Sequence, residues 1–160
     1  MLNRKRIYVE QLPYFITVNF FKRKPFFRYP GYTLLMLQVL KVQREQYFFK
    51  LYEYILMPDH YHIIISPAKD KNISNVMHHC NGMFAKLFNR KSGNKGQVFQ
   101  HGFYDHGIRD LRDYQIKAQY IHMNPVRAGL ALQPEQYPWS SARNRVLGDE
   151  GLIKLDDVDL

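Results

Sequence analysis

The sequence predicts an α+β chain: a four-stranded antiparallel sheet with two helices on one face and a third helix, carrying Tyr120, beside the other. Three observations predict this split βαβ, or ferredoxin-like, arrangement. The elements read in the order strand, helix, strand, strand, helix, strand, helix. The run His60-Tyr61-His62-Ile63-Ile64-Ile65-Ser66 is β-branched and alternates with the period of two that a strand requires. Pro58-Asp59 gives it the tight connection that an antiparallel hairpin needs.

The elements follow in order. Tyr14 to Phe20 is rich in strand formers and reads as the first strand. Lys22-Arg23-Lys24-Pro25-Phe26-Phe27-Arg28 is a basic, aromatic loop. Its cations suit phosphates and its rings suit base stacking, although one or two phenylalanines could equally anchor a solvated loop. Tyr32 to Gln46 has a helical stripe of Leu35, Met36, Val39, Leu40 and Val42. Gln46 to Leu56 is the second strand and His60 to Ser66 the third. Asn72 caps a helix through Phe88, whose Ile73, Val76, Met77, Cys80, Met83, Phe84, Leu87 and Phe88 hold core spacing. His78 and His79 read as surface residues of that helix, and Lys86, Arg90, Lys91 and Lys95 make its end basic. The last strand and its approach lie within Val98–Ile108. The spacing of His101, Tyr104, Asp105 and His106 matches no common metal site. Asp110 caps the final helix, and Pro125 should end it near Asn124.

At 160 residues, with 46% hydrophobic and 15% aromatic residues, the chain is a single folded domain rather than a disordered one. We place that domain at residues 1–148 and an acidic tail at 149–160. The one cysteine, Cys80, excludes an intrachain disulfide and fits a reducing cytoplasm. No apolar run approaches the ~20 residues of a membrane span. Behind Arg4, Lys5 and Arg6 there is no apolar run of signal-peptide type. The net charge of +9 understates the body of the protein. Residues 1–148 hold 22 Lys and Arg against 9 Asp and Glu, a net +13, which points to a polyanionic partner and first to nucleic acid. The acidic tail is either a solvated end or a segment that folds over a basic groove.

Chemistry concentrates in two places. On a strand, His60 and His62 project from one face, either as two half-exposed surface histidines or as a metal pair, since neutral imidazole is the commonest metal ligand. Tyr61, Ile63 and Ile65 then face the core. On the last helix, Tyr120 and Asn124 stand at i and i+4, with the amide leaning back toward the phenol. Laid against the histidine strand, this helix would supply a nucleophile and a third ligand.

These residues, Met57-Pro58-Asp59-His60-Tyr61-His62 and Tyr120-Ile121-His122-Met123-Asn124-Pro125-Val126-Arg127-Ala128-Gly129-Leu130, resemble the motifs of the HUH single-tyrosine transposases, in their REP-associated branch. Val98 to His106 and Tyr137-Pro138-Trp139-Ser140-Ser141 resemble the same family, so the likeness runs from about Tyr14 to Arg143. One departure is Tyr61, where the family usually has a plain aliphatic residue; it brings a second phenol next to the histidines. The resemblance implies a divalent cation, Mg²⁺ or Mn²⁺, on His60, His62 and Asn124, and Tyr120 as the nucleophile. It implies cleavage and rejoining of single-stranded or hairpin DNA through a 5′-phosphotyrosine, by a monomer or homodimer acting in the cytoplasm at the nucleoid. Arg4, Lys5, Arg6, Lys22, Arg23, Lys24, Arg112 and Arg127 are the candidate DNA contacts. A non-cutting hairpin-binding module and a water-using metal nuclease are the alternative readings.

Overall fold

The structure is a computed structural model that describes residues 11–148 and 150–160. Its sheet has the strand order β2-β3-β1-β4, with β1 Tyr14–Asn19, β2 Lys50–Met57, β3 His60–Ser66 and β4 Tyr104–Gly107. All neighbours are antiparallel. The helices are α1 Pro30–Tyr47, α2 Ile73–Ser92, α3 Leu111–Arg127 and the short α4 Ala142–Leu147. The predicted four-stranded α+β fold is therefore present, with strand β3 at its predicted bounds.

Alternation along the strands divides the interior in two. Ile16, Val18, Tyr61, Ile63 and Ile65 join Met36, Leu40, Val76, Cys80 and Phe84 of α1 and α2 in one core. On the other face Phe15, Ile55 and Ile64 pack with Tyr114, Ala118 and Ile121 of α3. Helix α3 thus covers the sheet face that carries the histidines. Tyr61 is fully buried on the opposite face, and its hydroxyl donates to Asn81 Oδ1. That bond satisfies the buried phenol and takes it away from the histidines.

Several local readings are corrected by tertiary packing. In α1, Leu37 is buried where Val42 was expected, and Val42 is 46% exposed. The helix runs to Tyr47 and stops where Phe48 turns left-handed (φ 54), so β2 begins at Lys50. Phe27 is buried against Phe20 and Phe84, and Phe26 packs on Phe88. The rings of the basic loop therefore anchor it to the core, leaving its cations to solvent. Helix α3 does not end at Asn124 but continues through Pro125 to Arg127. In the last turn the proline forfeits one backbone bond, and the end is closed around Gly129 (φ 71): its N–H donates to Val126 O and that of Leu130 to Pro125 O.

Residues 150–160 pack on the body of the chain. Ile153 enters the helix-side core, while Asp156 accepts from Leu51 N at 2.8 Å and pairs with Arg44. The segment covers the free edge of β2 at Leu51, and Trp139 and Ser141 bond that edge at Leu56 and Tyr54, where exposed backbone would otherwise invite pairing. Its Asp156 anchor lies at the Leu51 end of β2, whereas His60 pairs with Met57 at the other end.

Candidate active site

Strand pairing sets the imidazoles. His62 lies opposite Thr17, and His60 opposite Asn19. Thr17 Oγ1 is 2.8 Å from His62 Nδ1, and His60 Nδ1 is 2.6 Å from Asp59 Oδ1. A carboxylate only accepts, so His60 donates from Nδ1 and keeps its lone pair on Nε2. Asp59 is itself braced by Arg23 Nε at 2.9 Å. The two rings meet edge to face with centroids 4.8 Å apart. Burial pushes the His62 pKa down to about 3, with the charges of His60, Arg23 and Arg127 adding to the effect. Burial also lowers His60, against the upward pull of Asp59 and with help from Arg23. Both are neutral bases at neutral pH.

His62 Nε2 is a buried nitrogen with no hydrogen-bond partner. With the His62 proton on Nδ1 toward Thr17, Nε2 carries a buried lone pair whose desolvation cost a cation would remove. Two neutral imidazoles side by side, each oriented through Nδ1 by an oxygen, are a donor set that could hold a cation. Among the described residues no group of three or more His, Cys, Asp or Glu gathers as a metal site.

Helix α3 brings Tyr120 to this pair. Asp110 caps it by accepting from Asp113 N at 2.8 Å, and Asp113 accepts from His106 of β4 at 2.9 Å. Phe15 forms the floor, stacked on His62 at 5.3 Å and meeting the Tyr120 ring edge on at 5.8 Å. The Tyr120 and His62 rings lie 5.3 Å apart, and Tyr120 is 43% exposed. Arg127 stands over the Tyr120 ring at 4.6 Å and donates to the Tyr120 carbonyl at 2.7 Å. Asn124 follows Tyr120 by one turn and is buried.

The far side of α3 is held by Glu53, a residue the sequence reading passed over. A bulge at Leu51–Glu53 turns both Tyr52 and Glu53 toward α3. The Glu53 carboxylate, on a side chain 2% exposed, accepts from Tyr114 Oη at 2.6 Å, His122 Nε2 at 2.7 Å, Arg145 Nε at 3.0 Å and Ser141 Oγ. Burial raises its pKa, but the His122 bond and charge, with the Ser141 and Tyr114 bonds, outweigh it and hold the carboxyl below its ordinary value. The available signal was an acid in an otherwise apolar strand, Leu51-Tyr52-Glu53-Tyr54-Ile55.

The predicted basic residues divide. Arg23 joins the site through Asp59, and Arg127 through Tyr120. Lys22 and Lys24 are exposed on the same loop. Arg112 sits in the first turn of α3, eight residues from Tyr120, or about 12 Å of helix, and is not brought to it. Arg4, Lys5 and Arg6 lie outside the described residues. His78 and His79 are exposed on α2, as expected of surface histidines.

A four-stranded sheet that presents two neutral histidines to a helix-borne tyrosine defines a class that comparison with known proteins names. Residues 8–124 match the family described as "Transposase IS200 like", and the chain belongs to that family. It is 29% identical over 157 residues to the REP-associated tyrosine transposase of Escherichia coli (strain K12), covering 98% of this chain and 90% of that protein. Among solved structures it resembles a REP-associated tyrosine transposase bound to a REP hairpin, with a TM-score of 0.77 and 26% identity over 100% of this chain and 95% of that one. The resemblance drawn from the histidine and tyrosine motifs to the REP-associated branch is thus borne out along nearly the whole chain.

Proposed function

We propose that this chain cleaves and rejoins single-stranded DNA next to a hairpin, with Tyr120 as the nucleophile. The observation that supports this most is the edge contact of the Tyr120 ring with His62, whose Nε2 is buried and unpartnered. Held over Phe15, the phenol is positioned before substrate arrives, so little orientational freedom remains to be lost. Its oxygen attacks phosphorus, a P–Oη bond forms, and the bond to the 3′ oxygen breaks. The phenol proton leaves to solvent, and the departing 3′ oxygen gains one. A 5′-phosphotyrosine and a free 3′-hydroxyl result, and attack by another 3′-hydroxyl reverses the step without a nucleotide cofactor.

His60 Nε2, His62 Nε2 and the Asn124 amide carbonyl are the residues that would hold a divalent cation. Bound there, Mg²⁺ or Mn²⁺ supplies Lewis-acid polarisation of the scissile phosphate, and the two nitrogens favour Mn²⁺. Asp59 and Thr17 fix the imidazole orientations. Arg127, against the phenol ring, and Arg23, against Asp59, are the cations that meet phosphate oxygens in this reading, which their closeness to Tyr120 and to the histidine strand supports. The exposed Lys22 and Lys24 extend that basic surface, and the net charge favours DNA. Histidines and tyrosine come from one chain, which supports a site that needs no second copy. A hairpin as the substrate's recognised element is supported by the hairpin bound to the similar solved protein.

A denaturing gel tests the reading. Labelled single strands bearing hairpins from DNA flanking this chain's own gene are incubated with Mn²⁺, with EDTA, and with Tyr120→Phe. The expected result is a covalent protein–DNA band that needs both metal and Tyr120. Cleavage without that band, persisting in Tyr120→Phe, would replace the tyrosine by water as nucleophile.

A further inference from the structure

Beside the histidines, the same sheet face carries an aromatic side chain that the proposed chemistry does not use. Tyr104 on β4 is cross-strand partner to Thr17, the residue that orients His62. Side chains of such a pair share one face, so Tyr104 stands on the histidine side of the sheet. Its ring is 57% exposed yet braced edge to face by Phe15 at 6.4 Å. Phe15 is the ring that also touches His62 and Tyr120. Lys117 of α3 lies over that ring at 5.1 Å, adding a cation to the same patch.

We infer that Tyr104 and Lys117 form a nucleotide subsite, in which an unpaired base near the cleaved bond stacks on the Tyr104 ring and its phosphate meets Lys117. An exposed ring fixed from behind, with a cation beside it, is the arrangement that single strands use for stacking and backbone contact. β4 and β3 flank β1, so Tyr104 is two strand spacings, about 10 Å, from the His62 backbone. At a stacked rise of about 3.4 Å per nucleotide, the base concerned lies within about three nucleotides of the scissile phosphate. The inference rests on the proposed function, because it takes the histidine face as the path of the DNA strand.

The test is a thermodynamic cycle between ring and base. In a Tyr120→Phe background with EDTA, so that nothing is cut, affinities are measured by fluorescence anisotropy. The probe is the hairpin-bearing strand with single-stranded extensions, made abasic at one position at a time. With Tyr104 present, one position should lose about tenfold in affinity when its base is removed. In Tyr104→Ala that loss should disappear, and in Tyr104→Phe, which keeps the ring, it should return. Lys117→Ala should lower the slope of log affinity against log salt by about 1. An abasic penalty that Tyr104→Ala leaves unchanged at every position overturns the inference. The covalent band of the protein with Tyr120 intact is read separately, so failure of the subsite is distinguished from failure of the tyrosine chemistry. A protein that binds none of the probes overturns both.

Discussion

Glu53→Ala removes an acceptor that Tyr114, His122, Ser141 and Arg145 share. The side chain is 2% exposed, so water does not readily replace it. A phenol, an imidazole and a guanidinium are left to find new partners at the back of α3. Breaking a buried charged network from one side costs about 3–5 kcal/mol, against a total stability of about 5–15 kcal/mol for a domain. With a urea m-value of about 2 kcal/mol/M, the unfolding midpoint should fall by about 1.5–2.5 M. Glu53→Gln keeps shape and one acceptor oxygen but weakens the charge-assisted bonds, for a loss of about 1–2 kcal/mol. The carboxyl titrates below its ordinary 4.5 when folded, so the unfolded chain takes up its proton first as pH falls. The stabilisation is therefore complete above pH 4.5 and is lost as pH falls through the folded value. The gap between the parent protein and Glu53→Gln should close over that window. Urea titrations followed by circular dichroism at several pH values measure all three quantities. A Glu53→Ala midpoint within about 0.25 M of the parent, at unchanged m, would refute the claim that this network holds α3 on the sheet.

Three further outcomes are expected. Tyr120→Phe should abolish the covalent band while leaving hairpin affinity and stability within about 0.5 kcal/mol, because the side chain is part-exposed; gel and urea titration check the two halves. Thr17→Val should free the His62 ring without a large loss of fold. It should weaken apparent Mn²⁺ affinity about 10- to 100-fold, read as the metal dependence of adduct formation. Gly129→Ala should cost about 1 kcal/mol in urea unfolding, because its φ of +71 is strained for an L side chain although no atom lies within 4 Å of the added carbon.

What the sequence disclosed depended on how local the cause was. The face shared by His60 and His62 follows from strand period alone, and Asp110 and Asn72 cap their helices as their residue types require. Proline misled for the same reason. Its effect on Asn124 is a local bias, and the closing turn around Gly129 together with burial of Asn124 and Pro125 overrides it. Glu53 could not be placed, because a bulge moves it to the side its alternation would deny it, and its partners lie 61 to 92 residues away. Phe26 and Phe27 looked equally suited to stacking bases or to anchoring a loop; contacts with Phe20, Phe84 and Phe88 decide for the anchor. Tyr104 was visible only as part of a cluster without metal spacing, and its place beside Thr17 needs the register of β1 and β4.

The most direct test of the central claim is a mass spectrum of the trapped adduct. After reaction with a hairpin-bearing strand and Mn²⁺, nuclease and trypsin reduce the complex to a peptide with a short nucleotide remnant. Cleavage after Lys117 and Arg127 gives Ala118–Arg127, whose only tyrosine is Tyr120, whereas Tyr104 and Tyr114 fall in other tryptic peptides. A 5′-phosphonucleotide on Tyr120 is expected within that peptide. The same remnant on the peptide of Tyr104, or cleaved DNA with no modified peptide at all, would contradict it.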